Sequence, residues 1–294
     1  MKYKIKYNLF GGTLKQISLH DLINITDCSI RELGNFFFFN NKKYICFTNT
    51  KDISQRSGLY VNIVELKDDN IILNINYNEI VNGEDPYIYI YQNIAYLYVE
   101  NKDNSYYNIG CYTSKNLINW TRQNDAIIRN LNFNWETTDC SSPCIVKIEH
   151  KSEYKFAMLY EGRGKNNGIT GCVCIAYSND LLNWNKDQNN PIIIGTNGRD
   201  KFNLGKIYNK FNDFETIVPD DIKFEKGNYI ATFHIYNVGK FRENLILKST
   251  DLLNWNKIEQ YSNNDIDIGQ GIMFYEDKYV CIDKSKTKIL LFSS

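Results

Sequence analysis

Tyr112-Thr-Ser-Lys-Asn-Leu-Ile-Asn-Trp120, Tyr177-Ser-Asn-Asp-Leu-Leu-Asn-Trp184 and Lys248-Ser-Thr-Asp-Leu-Leu-Asn-Trp255 are three near-copies of one phrase. Their tryptophans stand 64 and 71 residues apart. A second phrase recurs between them, a proline followed about ten residues later by a tyrosine that opens a strand-like run: Pro86 with Tyr96, Pro143 with Tyr154, Pro219 with Tyr229. Repetition of a strand-rich pattern at about this period marks a β-propeller. At roughly 60 residues per unit, the 294 residues make about five blades. The reading is an all-β, five-bladed β-propeller folded as a single domain over residues 1–294.

Short runs rich in Tyr, Phe, Ile and Val alternate with Asn, Asp, Lys and Gly turns, the composition of strands and hairpin loops. Residues 36–39 and 44–48 read as a hairpin, as do 87–91 with 94–99, and 222–224 with 229–235. Two more are expected from residues 144–148 with 154–160 and 272–275 with 279–282. Residues 109–113 and 172–177 read as third strands, each running into a Trp phrase. A large ring at one offset per repeat is what wedge-shaped neighbouring sheets require. Long helical periodicity is absent.

Lys and Arg total 34, and Asp and Glu total 34. This balance leaves no basic footprint for nucleic acid or an anionic membrane. Mean hydropathy is −0.44, and no apolar run nears the roughly 18 residues of a membrane helix. The first ten residues alternate like a strand and lack the apolar core of a signal peptide, so a cytoplasmic protein is expected. Of the eight cysteines, Cys172 and Cys174 share one strand face, and Cys140 and Cys144 flank Pro143 without partners at zinc-ligand spacing. All are expected as buried free thiols, with no metal and no cofactor.

In a propeller the first strand of each blade starts at one end of the central channel, so groups placed there by different blades face a common pocket. Acids crowd these starts. Glu84-Asp85-Pro86 opens the second hairpin, and Glu136-Thr-Thr-Asp139-Cys-Ser-Ser-Pro143 the third. Asp213-Phe-Glu215-Thr-Ile-Val-Pro219-Asp220-Asp221 opens the fourth. Asp139 and Glu215 each stand four residues before the proline, so they are expected in related places. Asp27 or Glu32 lies ahead of the first hairpin, and Asp265 and Asp267 ahead of the fifth. Converging carboxyls are the apparatus of glycoside hydrolysis. One stays protonated to serve the leaving oxygen, another stays ionised to activate water or attack the sugar, and a third raises the pKa of the acid. Asp85, Asp139 and Glu215 are expected to meet at one end of the axis. Trp135, outside the repeated phrase, is a candidate platform for a sugar face. Arg163 and Arg199 are candidate phosphate ligands for a phosphate-dependent reaction, and His234 lies in a strand.

The acid-Asp-Pro opening, the acid-rich segment before Pro219 and the repeated Ser-x-Asp-Leu-x-x-Trp phrases resemble the five-bladed propeller glycosidases, over about residues 27–282. That superfamily includes the arabinanase- and xylosidase-like family 43, the invertase-like family 32 and the mannoside phosphorylase family 130. Resemblance to family 43 implies Asp27 (or Glu32) as base, Asp139 as tuner and Glu215 as general acid. In resemblance to family 32, Asp85-Pro86 matches the motif of the transition-state stabiliser, with Glu84 in place of Arg. Asp139-Cys140 matches its acid/base motif, with Asp in place of Glu. The first segment lacks Asn-Asp-Pro-Asn-Gly and the fourth lacks Glu-Gly-Pro.

The implied activity is inverting hydrolysis of a short oligosaccharide or glycoside. Glu215 would give the proton, Asp27 or Glu32 would hold the water, Asp139 would tune the acid, and Asp85 would bind sugar hydroxyls or stabilise positive charge. Glu32, Glu84, Trp135, Glu136, Arg163 and His234 would contact the carbohydrate. The alternatives are a phosphorylase or sugar-transfer enzyme of surface-polysaccharide metabolism, and a non-catalytic carbohydrate-binding propeller.

Overall fold

The computed structural model describes residues 14–18, 29–50, 59–66, 80–103, 106–150, 152–164, 170–195, 209–211, 216–236, 243–262, 268–276, 278–283 and 288–293. Among them every regular element is a strand. After β1 (Leu14–Ser18), the chain runs in antiparallel meanders. The first is β2 (Ser29–Phe39), β3 (Lys42–Thr50) and β4 (Tyr60–Leu66). The second is β5 (Glu84–Tyr91), β6 (Ile94–Asp103), β7 (Tyr106–Ser114) and β8 (Thr121–Ile127).

The third holds β9 (Asp139–Lys147), β10 (Phe156–Gly164) and β11 (Thr170–Ser178), edged by β12 (Asn185–Lys186), β13 (Ile193–Gly195) and β14 (Asn209–Phe211). The fourth is β15 (Thr216–Glu225), β16 (Asn228–Tyr236), β17 (Glu243–Ser249) and β18 (Asn256–Ser262). The last is β19 (Ile268–Tyr275), β20 (Lys278–Asp283) and β21 (Lys288–Ser293), whose outer edge is taken by β1. The leading strands pack in a circuit: β2 on β5, β5 on β9, β9 on β15, β15 on β19, and β19 on β2.

Local chemistry explains the turns. Asn40-Asn41, Gln92-Asn93 and Lys226-Gly227 each close a hairpin with both residues at positive φ (49° and 61°, 49° and 59°, 49° and 80°). That is the two-residue geometry whose twist suits the flanking strands. The third expected hairpin is looser, because β10 starts at Phe156 and leaves Tyr154 in the connecting loop.

The repeated phrase is a hydrogen-bonded turn. Ser114, Ser178 and Ser249 Oγ each accept the N–H groups two and three residues on, at 3.2 and 2.9 Å in all three. Asn116, Asp180 and Asp251 Oδ1 accept the next two N–H groups. The leucines that follow, Leu117, Leu181 and Leu252, sit at φ 60–67°, and these side-chain acceptors replace the backbone partners a regular strand would offer. Trp184 then meets Tyr98 edge-on at 6.0 Å, and Trp255 meets Phe233 edge-on at 5.9 Å. Trp184 thus reaches a ring of the second meander, while Trp255 packs on a ring of its own meander.

Gly34 marks a close approach of two leading strands. A Cβ there would stand 2.3 Å from the Pro86 carbonyl oxygen and 2.5 Å from Cys46 Sγ. Because one clashing atom is backbone, Gly34→Ala should destabilise the fold by roughly 1–3 kcal/mol. A urea midpoint unchanged from wild type would contradict this packing.

The seven described cysteines are buried, and Cys46, Cys111, Cys140, Cys144, Cys172 and Cys174 are free thiols; Cys28 lies outside the described residues. Burial pushes the thiols of Cys46 and Cys111 up to about 12. A thiolate reagent should therefore leave these seven unmodified in the native protein and label them on unfolding. Rapid native labelling at any of them would overturn this.

Candidate active site

Each leading strand carries a register shift at the same level. The shifts fall between Leu33 and Phe36, between Glu84 and Tyr87, between Ser141 and Cys144, between Pro219 and Asp221, and between Ile268 and Ile272. A bulge turns residues out of the alternating pattern and re-aims their side chains. Where the circuit of leading strands meets, the bulges surround a pocket. Its lining includes Glu32, Asp85, Ser142, Asp220, His234 and Gly271. Asp85 and Ser142, each just before a proline, are held at φ 47° and 48°. Such left-handed backbone at a non-glycine residue costs about 1–3 kcal/mol and persists only where its surroundings impose it. Here the two strained residues bond to each other, Ser142 Oγ donating to Asp85 Oδ2 at 2.6 Å.

Carboxyls crowd this end. The Asp85 N–H donates to Glu32 Oε2 at 3.1 Å, and Glu84 accepts from Arg31 Nε at 3.2 Å. Glu84 lies across the ladder from Glu100, and both are buried. So many acids in a dry space cannot all ionise. Burial, then the charge and hydrogen bond of Asp85, push Glu32 well above the ordinary carboxylate range, with Arg31 opposing. Burial and the charge of Asp85 likewise push Glu100 up. Burial opposes ionisation of Asp85 too. Hydrogen bonds from Glu32 and Ser142, with the charges of Arg163 and His234, overcome that and hold it below its usual value. Glu32 keeps the proton and Asp85 keeps the charge.

Behind this pair lies a buried clamp. Arg163 Nε and Nη2 donate to the two oxygens of Glu161 at 2.9 and 2.7 Å, and Ser141 Oγ donates to Glu161 Oε2 at 2.9 Å. Glu161 is fully buried. Arg163 Nη1 stands 3.7 Å from Asp139 Oδ2. On the fourth meander, His234 Nδ1 is 2.6 Å from Asp220 Oδ1. Asp221, next along, points away. It accepts from the Phe274 and Ile222 N–H groups at 2.9 and 2.8 Å and from Tyr87 Oη at 3.1 Å, while burial pushes it up to about 6.

The expected convergence is thus redrawn. Asp85, Glu32 and His234 line the pocket. Asp139 is buried at the start of β9 beside Arg163 and does not line it. Asp27, Glu215 and Arg199 lie outside the described residues. Glu84 is engaged with Arg31, and Arg163 is committed to Glu161. Glu136 is turned into the third meander, accepting from Tyr160 Oη at 2.6 Å and paired with Lys186. Trp135 is half-buried and stacked on Phe133 at 4.9 Å, away from the pocket lining. Asp220 and Ser142 are pocket groups that no sequence role anticipated. Asp220 directly follows Pro219, whereas Asp85 directly precedes Pro86, and adjacency to the proline was the available signal.

No curated protein sequence matches the chain. Among solved structures, BT0996 in its RGII complex superposes with a TM-score of 0.65 at 12% identity, over 95% of this chain and 90% of that one. Zg3597, a family 117 glycoside hydrolase of the marine bacterium Zobellia galactanivorans, gives 0.61 at 12% identity over 96% and 90%. The β-xylosidase RS223 gives 0.58 at 14% identity over 95% and 94%. These likenesses are of fold: all-β, of the propeller-glycosidase kind. In sequence, residues 76–276 match the family described as the glycosyl hydrolases family 32 N-terminal domain. That span is well over half of the chain and takes in Asp85-Pro86 and Asp139-Cys140, and the chain belongs to this family.

Proposed function

We propose that the chain hydrolyses a glycoside in the pocket ringed by the bulged strands, on a five-bladed propeller made by the whole of residues 1–294. The circuit of five leading strands supports the blade number, with β1 completing the last sheet. The observation that carries the activity is the Glu32–Asp85 contact, two carboxyl residues from neighbouring strands at the pocket wall, where burial and Asp85 push Glu32 up while hydrogen bonds from Glu32 and Ser142 hold Asp85 low. Glu32, held protonated, gives its proton to the leaving oxygen. Asp85, held ionised, faces the positive charge that develops at the anomeric carbon.

Hydrolysis is favoured over phosphorolysis by charge. A phosphate cradle needs free cations, whereas the pocket lining is acidic and Arg163 is bidentate on Glu161. The test is a panel of oligosaccharides and aryl glycosides, with and without phosphate. Cleavage without phosphate, lost in Asp85→Asn, supports hydrolysis. Phosphate-dependent cleavage, or sugar binding with no cleavage, refutes it.

The family 32 match favours one other assignment of the donor. Asp139-Cys140 stands at the acid/base motif, which would leave Glu32 to attack or to activate water. The dependence on leaving group in Glu32 and Asp139 variants separates the two.

A further inference from the structure

Ile94, Tyr96 and Tyr98 share one face of β6, because side chains alternate along a strand. At Tyr98 the third meander closes that face. The Tyr98 hydroxyl donates to the Leu181 carbonyl at 2.5 Å, and the ring meets Trp184. Toward Ile94 a cavity of about 400 Å³ opens beside the same face, within the roughly 300–1,000 Å³ of small-molecule sites. Tyr96 stands level with Thr113 on β7, and Thr113 with Thr121 on β8. All three line the cavity together with Gln123, and Leu182 lines it from the third meander. β5 leaves the Glu32–Asp85 pocket, β6 returns toward it and β7 leaves again, so this cavity lies at the opposite end of the second meander.

The repeated turn differs here by one residue. In the third and fourth meanders, Asn183 and Asn254 Nδ2 donate to the second carboxylate oxygen of Asp180 and Asp251, at 2.7 Å in both. The second meander has Asn116 in place of that aspartate. Asn116 Oδ1 still accepts the turn N–H groups, but its other terminal atom is a donor and cannot receive the Asn119 amide. The Asn116 Nδ2 and the Asn119 side chain are thus left without a partner among the described residues, and both residues line the cavity. Gln123 Nε2 bonds to Thr113 Oγ1 at 3.0 Å, which leaves its Oε1 as an acceptor. Tyr96 is only 8% exposed, and its hydroxyl makes no hydrogen bond to the described residues. Amide donors, an amide acceptor and a hydroxyl therefore stand beside the apolar surface of Ile94, Tyr96 and Leu182, and Lys115 is the one charged residue of the lining. We propose that this cavity binds a neutral saccharide unit, as a second carbohydrate site remote from the Glu32–Asp85 pocket; the choice of a sugar rests on the proposed glycoside hydrolysis. Sugar hydroxyls both donate and accept, and the C–H face of a sugar ring packs on tyrosine and leucine. A single lysine among amides suits a neutral ligand better than a uronate or a phosphate, whose recognition favours paired, charge-assisted donors.

The experiment follows backbone hydrogen exchange by mass spectrometry in the full chain carrying Asp85→Asn, chosen to stop turnover. Kestose, xylotriose and maltotriose are the neutral probes, and trigalacturonate is the acidic one. At least one neutral trisaccharide should protect residues 113–123, and titrating that protection gives its Kd. Adding Asn116→Asp restores the acceptor present in the other two turns, so the chain should fold with the Asn119 amide drawn back into its turn. The Kd should rise about tenfold, and Tyr96→Phe should raise it about 2–10-fold, the effect of one or two hydrogen bonds. The proposal is overturned if protection is confined to the peptides holding Glu32, Asp85 and Ser142, or if no probe protects residues 113–123. Stronger protection there by trigalacturonate than by every neutral probe, or an unchanged Kd in Asn116→Asp, overturns it too. If Asn116→Asp does not fold, Tyr96→Phe decides, and an unchanged Kd refutes the site. Hydrolysis is judged separately. Protection of residues 113–123 by a neutral probe, with no glycoside cleaved by the wild type, supports this site and refutes hydrolysis. Cleavage without that protection refutes this site alone.

Discussion

Glu32→Gln should lower kcat/KM by about 10²–10⁴-fold on a glycoside with a poor leaving group and far less on an activated aryl glycoside, because the activated oxygen departs with little protonation. If Glu32 is the donor, the wild type should lose activity as pH rises through the raised pKa of Glu32, since only the protonated acid can donate. Asp85→Asn removes the second cause of that elevation, after burial. It should therefore move the alkaline limb to lower pH, and it should depress both substrate types, because charge at the anomeric carbon develops in either. Steady-state kinetics over pH 4–9 (roughly the window spanned by ordinary carboxylate and imidazole values) checks both statements. An equal loss on both substrates in Glu32→Gln would move the donor to Asp139.

Glu161→Ala should cost about 3–5 kcal/mol of stability, the usual result of stripping one partner from a buried ion pair. The carboxylate is fully buried and answers Arg163 with both oxygens and Ser141 with one. Without it the guanidinium is left in a dry space, with Asp139 at 3.7 Å as a weaker counter-charge. Replacing both residues by leucine should recover much of the loss, because no uncompensated charge remains. Urea unfolding of the single and double variants measures this. A loss under about 1 kcal/mol in Glu161→Ala would mean the pair is no stronger than an exposed one.

The fold was largely legible because its signals are local. Asn40-Asn41, Gln92-Asn93 and Lys226-Gly227 set hairpins through their own backbone preferences. The Ser-x-Asp-Leu phrase closes its turn through side chains two and three residues from their partners. The Asp-Pro start of β5, which lines the pocket, was legible as a candidate for the same reason. The site as a whole was not, and the bulges explain why. Counting four residues back from a proline placed Asp139 and Glu215 together. A one-residue shift in a strand moves side chains to the opposite face, so a bulge changes which residue near a proline reaches the pocket; Glu215 itself lies outside the described residues. Asp139 accordingly ends beside Arg163, while Asp220, one residue past its proline, reaches the pocket.

The all-β character, the repeat, the turns and the acids where strands begin can all be read from the order of residues, since each depends on neighbours within a few positions. Which acids share a proton cannot, because the partners meet only when the meanders close on one another. Glu32 and Asp85 lie 53 residues apart, and Arg31 reaches Glu84 over the same separation. Their unequal ionisation comes from burial and from charges brought in by other strands, Arg163 and His234 among them. Coulomb energy in a dry pocket depends on distances through space, and those were created by the circuit of leading strands.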